Sequence, residues 1–261
     1  MRASSGIGDL VHLKDEQWLE RQKVAGKAVA ECLRMAHDAI KACEPGLTGK
    51  VLESRCQKIL DKYNCTPTFK GYHGFPGAIC YSVNKEMVHG IPNDKPLKEG
   101  DLVTVDLGAT YEGAIADAAV TVGYGKISEK HQRLLSTCKS ALEKALSSIS
   151  VGKKIGVIGN AIFKETRDSG FSLVTHYGGH GISTNKPHSS PFVSNKSKPD
   201  EGITIYPGLT IAIEPMLIDA ETSNTFTKDD GWTVCGMGIS AHFEHTVYIS
   251  ENEVKIITSY E

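Results

Sequence analysis

Asp106, Asp117, Glu214 and Glu244 are acids set in or beside apolar runs, and His180 lies within Gly178-Gly179-His180-Gly181-Ile182. Asp106 closes Leu102-Val103-Thr104-Val105, and Asp117 opens Ala118-Ala119-Val120-Thr121-Val122. Glu214 follows Thr210-Ile211-Ala212-Ile213, and Glu244 precedes Thr246-Val247-Tyr248-Ile249 by one residue. A carboxylate within an apolar strand is costly to bury without a partner. Four of them with one imidazole point to a shared positive partner, and a pair of divalent cations meets that need. Oxygen donors with a single nitrogen suit Mn(II), Fe(II), Co(II) or Zn(II) and not a thiolate-built site. Four acids exceed what one ion needs unless some bridge, and two ions ~3.5–4 Å apart fit the number. Such a pair lowers the pKa of a shared water and polarises an oxygen, which is the chemistry of amide, ester or phosphoester hydrolysis. One acid at a strand end is ordinarily a turn or cap residue, so the expectation rests on the set. Two further histidines, His89 and His188, stand near this set. His89 is followed by Gly90 and a Pro-Asn-Asp turn, which leaves room for a substrate chain.

The elements that must hold these residues can be read from periodicity. Val24, Ala28, Cys32, Met35, Ala36 and Ile40 recur at helical spacing, which predicts one long helix over 14–42, stopped at Glu44-Pro45-Gly46. A second helix is expected over 50–63 with Thr48 as its N-cap. The segment Gly71-Tyr72-His73-Gly74-Phe75-Pro76-Gly77 reads as loop. Strands follow at 78–83, 102–107 and 118–122, then helices at 129–147 and 155–169, then strands at 210–214, 242–249 and 254–258. Residues 189–202 read as a surface loop. The order helix, helix, strands occurs twice, which predicts an α+β fold of two similar halves, each with helices on one face of an antiparallel sheet. Residues 1–13 are expected to form an N-terminal tail and 14–261 a single catalytic domain.

Bulk properties exclude several classes. With 261 residues, 40% of them hydrophobic, and a formal net charge of −2, the chain can bury one large core and carries no basic footprint for specific nucleic-acid binding. No apolar run approaches membrane-spanning length, so no membrane partner is expected. The N-terminus has no apolar signal segment. Seven cysteines with no Cys-x-x-Cys pair argue against a disulfide framework and for a reducing, cytoplasmic setting.

The ordered segments Gly71-Tyr72-His73-Gly74-Phe75-Pro76, Ser82-Val83-Asn84, His89-Gly90-Ile91-Pro92, Gly179-His180-Gly181-Ile182, Ile213-Glu214-Pro215-Met216, Asp230-Gly231-Trp232-Thr233-Val234 and Ser240-Ala241-His242-Phe243-Glu244-His245-Thr246 closely resemble the type I methionine aminopeptidases. The likeness runs over about residues 14–257. It implies the pseudo-symmetric pita-bread fold and removal of an initiator methionine from peptides and nascent chains with a small second residue, including chains at the ribosome. It implies two divalent ions. Asp106 would chelate one, Asp117 and Glu244 would bridge, and His180 and Glu214 would hold the other, with Glu214 also taking the proton from the attacking water. His89 and His188 would contact the substrate amide. Tyr72, Phe75, Cys80 and Trp232 would wall the methionine pocket, and Asn84 and Ser240 would hold a monovalent cation. A monomer is expected. Prolidases and aminopeptidases P share the ligand pattern but carry an additional N-terminal domain, for which this length leaves no room. A non-catalytic relative would lack some of the five ligands. A phosphoesterase would want an arginine cluster, and none is evident.

The chain departs from the family pattern at Ser183, and one extra residue precedes His188. A bulge at 184–186 is expected to absorb it, so that His188 still reaches the substrate. Phe69 and Lys70 stand where the family has smaller or apolar residues, at the expected outer rim of the pocket.

Overall fold

The computed structural model describes residues 2–4 and 10–260. Helix α1 spans Glu16–Lys41 and α2 spans Gly49–Lys62. Asp15 caps α1 by accepting from the Trp18 N–H, and Thr48 caps α2 from the Val51 N–H, so each first turn has an orphan donor satisfied. Helices α3 and α4 span Glu129–Ser148 and Gly156–Thr166. The strands are β1 Arg2–Ser4, β2 Leu10–His12, β3 Thr66–Pro67, β4 Cys80–Val83, β5 Glu86–Val88, β6 Leu102–Tyr111, β7 Ala114–Gly123, β8 Ser172–Leu173 and β9 Gly178–Ser183. They continue as β10 Lys186–Ser194, β11 Thr210–Ile213, β12 Met216–Asp219, β13 Thr225–Thr227, β14 Val234–Gly236, β15 Ile239–His242, β16 Glu244–Ile249 and β17 Val254–Ile256.

The main sheet is antiparallel and runs β10-β9-β11-β16-β7-β6-β3, with β17 beside β16 and β4 beside β6. The pair β7–β16 joins the two halves: β6 and β7 follow the first helix pair, and β9, β10, β11 and β16 follow the second. One face of the sheet is covered by α1, whose buried side is largely Ala25, Ala28, Val29, Cys32, Leu33 and Ala36. Small side chains there let the helix lie close over β6 and β7.

The chain leaves the main sheet for a smaller one and later returns, and both crossings fall at one level. Strands β11 and β16 are neighbours in the main sheet, whereas their continuations β12 and β15 are neighbours in the sheet β15-β12-β8. The first crossing is Glu214-Pro215, where proline has no N–H to offer a ladder. The second is Phe243, whose N–H donates to Pro215 O at 3.4 Å. The Cys138 thiol of α3 reaches the same seam, 3.2 Å from Pro215 O and 3.4 Å from Ala241 O.

Several expectations change. The segment read as one strand over 242–249 is two, separated at Phe243. The stretch read as a loop from 189 is strand β10 as far as Ser194, paired with β9. The register shifts on β10 lie between Lys186 and Ser189 and between Ser189 and Phe192, not at 184–186. Pro187 and Pro191 both fall there and cannot donate to the ladder, which is where bulges form. The turn itself is tight, with Asn185 at φ 56° and its N–H donating to Gly113 O. At the N-terminus, β2 pairs with β1 and Val11 is buried in the core. Structure thus begins ahead of residue 14, and residues 1 and 5–9 of the expected tail lie outside the described residues.

Candidate metal centre

The register of the sheet places the acids and His180 together. On adjacent antiparallel strands, directly opposed residues share a face, and so do residues two apart on one strand. Asp106 opposes Ala119 and Asp117 opposes Gly108, so both aspartates project from one face of β6–β7. Glu244 also opposes Ala119. Ala212 opposes Thr246, and Ile211 opposes Gly181, which brings His180 to that same face. Glu214 is two residues beyond Ala212, just past the strand end. Five residues spread over 139 positions are gathered by a period of two and four strand pairings.

Local hydrogen bonds hold their backbones. The Thr246 hydroxyl accepts from the Asp117 N–H at 2.8 Å and lies 2.7 Å from Asp117 O. The Asn195 side-chain amide donates to Glu214 O at 3.1 Å and to Val174 O at 3.2 Å. Glycine flanks His180 because the backbones close in: a Cβ at Gly179 would lie 2.2 Å from Ala212 O, and one at Gly181 2.0 Å from Ser190 O. His180 Nδ1 is 3.2 Å from Gly181 O. That contact assigns the ring proton to Nδ1 and leaves Nε2 to face the acids.

Two groups of donors meet. Asp106, Asp117 and Glu244 each offer an oxygen, all within 4.8 Å of one another, and His180, Glu214 and Glu244 do the same. Glu244 is common to both. His180 Nε2 lies 3.7 Å from Glu214 Oε1 and 3.9 Å from Glu244 Oε1. Burial, and then repulsion from the neighbouring acids, pushes Asp106 and Glu244 well above the usual carboxylate range and Asp117 up to about 8. Burial alone takes Glu214 up to about 8, and burial takes His180 down to about 3. Asp106 Oδ1, Asp117 Oδ1 and Glu244 Oε1 are buried with no protein donor. Packed acids with oxygens left without donors, beside an imidazole held neutral, are complementary to bound cations. Divalent metal ions fit this donor set.

A stability expectation follows for protein stripped of metal. Asp117 and Glu214 keep their protons up to about 8 in the fold but release them near 4 when unfolded. Their stabilising effect is complete at low pH and is lost as pH rises toward 8. His180 and His242, held neutral down to about 3 from an ordinary 6.5, act in the opposite sense, and only below 6.5. Between about 6.5 and about 8 the acids act alone, so the Tm of chelator-treated protein should fall across that window. A Tm that stays level or climbs there, measured by scanning calorimetry, contradicts the packing described.

The acids floor a cavity of about 390 Å³. His89 and His188 line it, as do Tyr72, Phe75, Cys80 and Trp232. His89 takes φ 58°, in the left-handed region, and sits 6.5 Å from the Tyr177 ring centroid. Such a backbone is sparsely populated for a side-chain-bearing residue and is held only where surroundings impose it. The His188 ring is edge-on to His180 at 4.5 Å and to Tyr72 at 5.4 Å. It keeps solvent access, and desolvation by the walls, then His89 and His73, lower its pKa to about 4. Phe75, Cys80 and Trp232 form an apolar cluster with Phe69 and Ile91, and the Phe75 and Trp232 rings meet edge-on at 5.2 Å. Asn84 and Ser240 are also brought together: the Ser240 hydroxyl is 2.9 Å from Asn84 O and 3.2 Å from Glu86 O.

Of the residues lining this cavity, Phe69 was expected only at its outer rim, and His242 was not singled out by sequence reasoning. Phe69 is a buried wall of the apolar pocket. Its signal is an aromatic residue directly ahead of the glycine-rich turn. His242 is 1% exposed and faces Glu214 and Glu244. Its signal was its place two residues before Glu244.

Comparisons with known proteins agree with this geometry. The model of metallopeptidase family M24 matches residues 20–251. Methionine aminopeptidase of Clostridium acetobutylicum is 36% identical over 255 residues, covering 97% of this chain and 100% of the relative. That of Aquifex aeolicus is 38% identical over 259 residues, covering 95% and 98%. The crystal structure of methionine aminopeptidase from Thermotoga maritima superposes with a TM-score of 0.90 at 38% identity, over 95% of this chain and 99% of that one. Prolidase from Pyrococcus furiosus shares the fold at a TM-score of 0.74 and 20% identity, and the chain spans 66% of its length. The pita-bread architecture that the motifs implied is the architecture these chains share. By its matched family model, its near full-length relatives and its buried acid–histidine centre, the chain belongs to metallopeptidase family M24.

Proposed function

We propose that the chain removes N-terminal methionine from peptides and nascent chains whose second residue is small. The observation that carries this is the pairing, in one cavity, of the two donor groups with an apolar pocket of Phe69, Phe75, Cys80 and Trp232. A thioether side chain makes favourable contacts with aromatic edges and sulfur. With the first side chain in this pocket, the bond after the first residue would lie beside the acids.

In this reading Asp106 would hold one ion, His180 and Glu214 would hold the other, and Asp117 and Glu244 would serve both. The bound ions supply an activated water and polarise the substrate carbonyl. The chain's own residues do the rest. Glu214, at the cavity edge, accepts the proton of the attacking water and passes it to the leaving amine. His89 and His188 donate hydrogen bonds to the amide and the developing oxyanion. Phe75 and Trp232 hold the methionine side chain and exclude water. Asn84 and Ser240 would hold a monovalent cation beside the site. The enzyme acts as a monomer in the cytoplasm, on chains at the ribosome among others. No helix among the described residues is long and apolar enough to cross a membrane.

The test compares Met-Ala-Ser with Leu- and Lys-initiated peptides and with N-formyl-Met-Ala-Ser, in Mn(II) or Co(II) and after chelation. Cleavage confined to the free Met peptide, lost on chelation and restored by the ion, is the expected result. Equal rates on Leu, Lys and Met peptides count against the methionine pocket. Full activity in verified metal-free protein counts against the metal centre.

A further inference from the structure

We infer that His242 is a positioning residue for the metal centre, its Nε2–H holding the Glu214 oxygen that faces away from His180. The two glutamates stand between two imidazoles. His180 Nε2 faces the Oε1 atoms, at 3.7 Å from Glu214 and 3.9 Å from Glu244. His242 Nε2 faces the Oε2 atoms, at 3.4 Å from Glu214 and 4.0 Å from Glu244. The Glu214 carboxylate is thereby divided between the two rings.

His242 has little freedom to turn elsewhere. It ends β15, where its N–H donates to the Thr121 hydroxyl at 2.9 Å and its carbonyl accepts from that hydroxyl at 2.8 Å. Thr121 is itself tied to Thr104 at 2.8 Å. The ring is 1% exposed, and neither of its nitrogens has a hydrogen-bonded protein partner. A buried polar nitrogen needs a partner, and the nearest carboxylate oxygen to Nε2 is Glu214 Oε2. A separation of 3.4 Å becomes a hydrogen bond on a shift of a few tenths of an ångström. A carboxylate that ligates through one oxygen is ordinarily steadied through the other, and removing such support costs metal affinity. His242 therefore sets the Glu214 rotamer, and with it both metal retention and proton acceptance.

This inference rests on the metal reading above and deepens it. The test uses three proteins: the parent, His242→Ala and His242→Gln. The glutamine amide nitrogen lies three bonds from Cβ, as histidine Nε2 does, so it keeps the donor without the ring. Mn(II) or Co(II) affinity is read by titration calorimetry, and the number of imidazole ligands by X-ray absorption of the Co(II)-loaded protein. The expected result is a 10–100-fold loss of affinity in His242→Ala and a change within about threefold in His242→Gln, with the imidazole count the same in the parent and in His242→Gln. A circular-dichroism melt of the metal-free proteins checks that each variant folds. The inference is overturned if His242→Ala binds as the parent does. It is also overturned if His242→Gln loses as much affinity as His242→Ala, or if its imidazole count drops by one, since either result makes the ring a direct ligand. A parent that binds no divalent ion fails the metal reading itself, and that outcome is separate from a parent that binds ions irrespective of residue 242.

Discussion

Glu214→Gln should lower kcat by about 10²–10⁴, the cost of removing a general base. Of the two glutamates facing His180 and His242, Glu214 is the more open, with 12% of its side chain exposed against 3% for Glu244. Glu214 lines the cavity, through which a water must enter. Glutamine keeps the shape and the contact with the Asn195-held backbone but cannot accept a proton. The measurement is kcat on Met-Ala-Ser at saturating Mn(II) or Co(II), with metal content determined on the same sample, because a weakened ligand would add its own loss. A metal-saturated variant that turns over near the parental rate removes Glu214 from the proton-accepting role.

The second large effect is expected at His188. Loss of one donor to a developing oxyanion costs on the order of 10²–10³ in kcat, and His188→Ala should show a fall of that size with metal content unchanged. The ring is held in the cavity by its edge-on contacts with His180 and Tyr72. The bulged strand β10 delivers it there despite the extra residue. Turnover within about twofold of the parent, far below the cost of a lost donor, would refute the role. A drop in bound metal would instead make His188 a ligand, since Asp117, His180 and His188 also present donor atoms within 4.8 Å.

The helices and the five donors were legible in the sequence for the same reason: each is a local break in a strong pattern. Thr48 precedes clear helical periodicity, and the acids interrupt apolar strands. The β9–β10 hairpin was not legible. Its strand carries Pro187 and Pro191, and its register slips twice, so no period of two survives to be read. The break at Phe243 was hidden because residues 239–249 are continuous in strand character, and only the partner strand changes. His242 escaped notice because its neighbours Glu214 and Thr121 lie 28 and 121 positions away. Phe69 was placed at the outer rim and stands instead as an inner wall, because the 3₁₀ turn at Tyr72–Gly74 folds the segment back over Cys80.

The seam at Glu214-Pro215 and Phe243 has a mechanical consequence. Glu214 lies on the first crossing itself, whereas Glu244 and both aspartates stand on strands of the main sheet. Direct backbone bonding across the seam is thin, with the Phe243 N–H reaching Pro215 O at 3.4 Å. Cations held by Glu214 together with the main-sheet acids would thus fasten the crossing to the main sheet as well as supply chemistry. Emptying the centre should loosen the β15-β12-β8 leaf before the β6–β7 ribbon, as a local opening well short of global unfolding. Amide hydrogens of 216–219 and 239–242 would then exchange faster without metal, while those of 102–111 keep their protection.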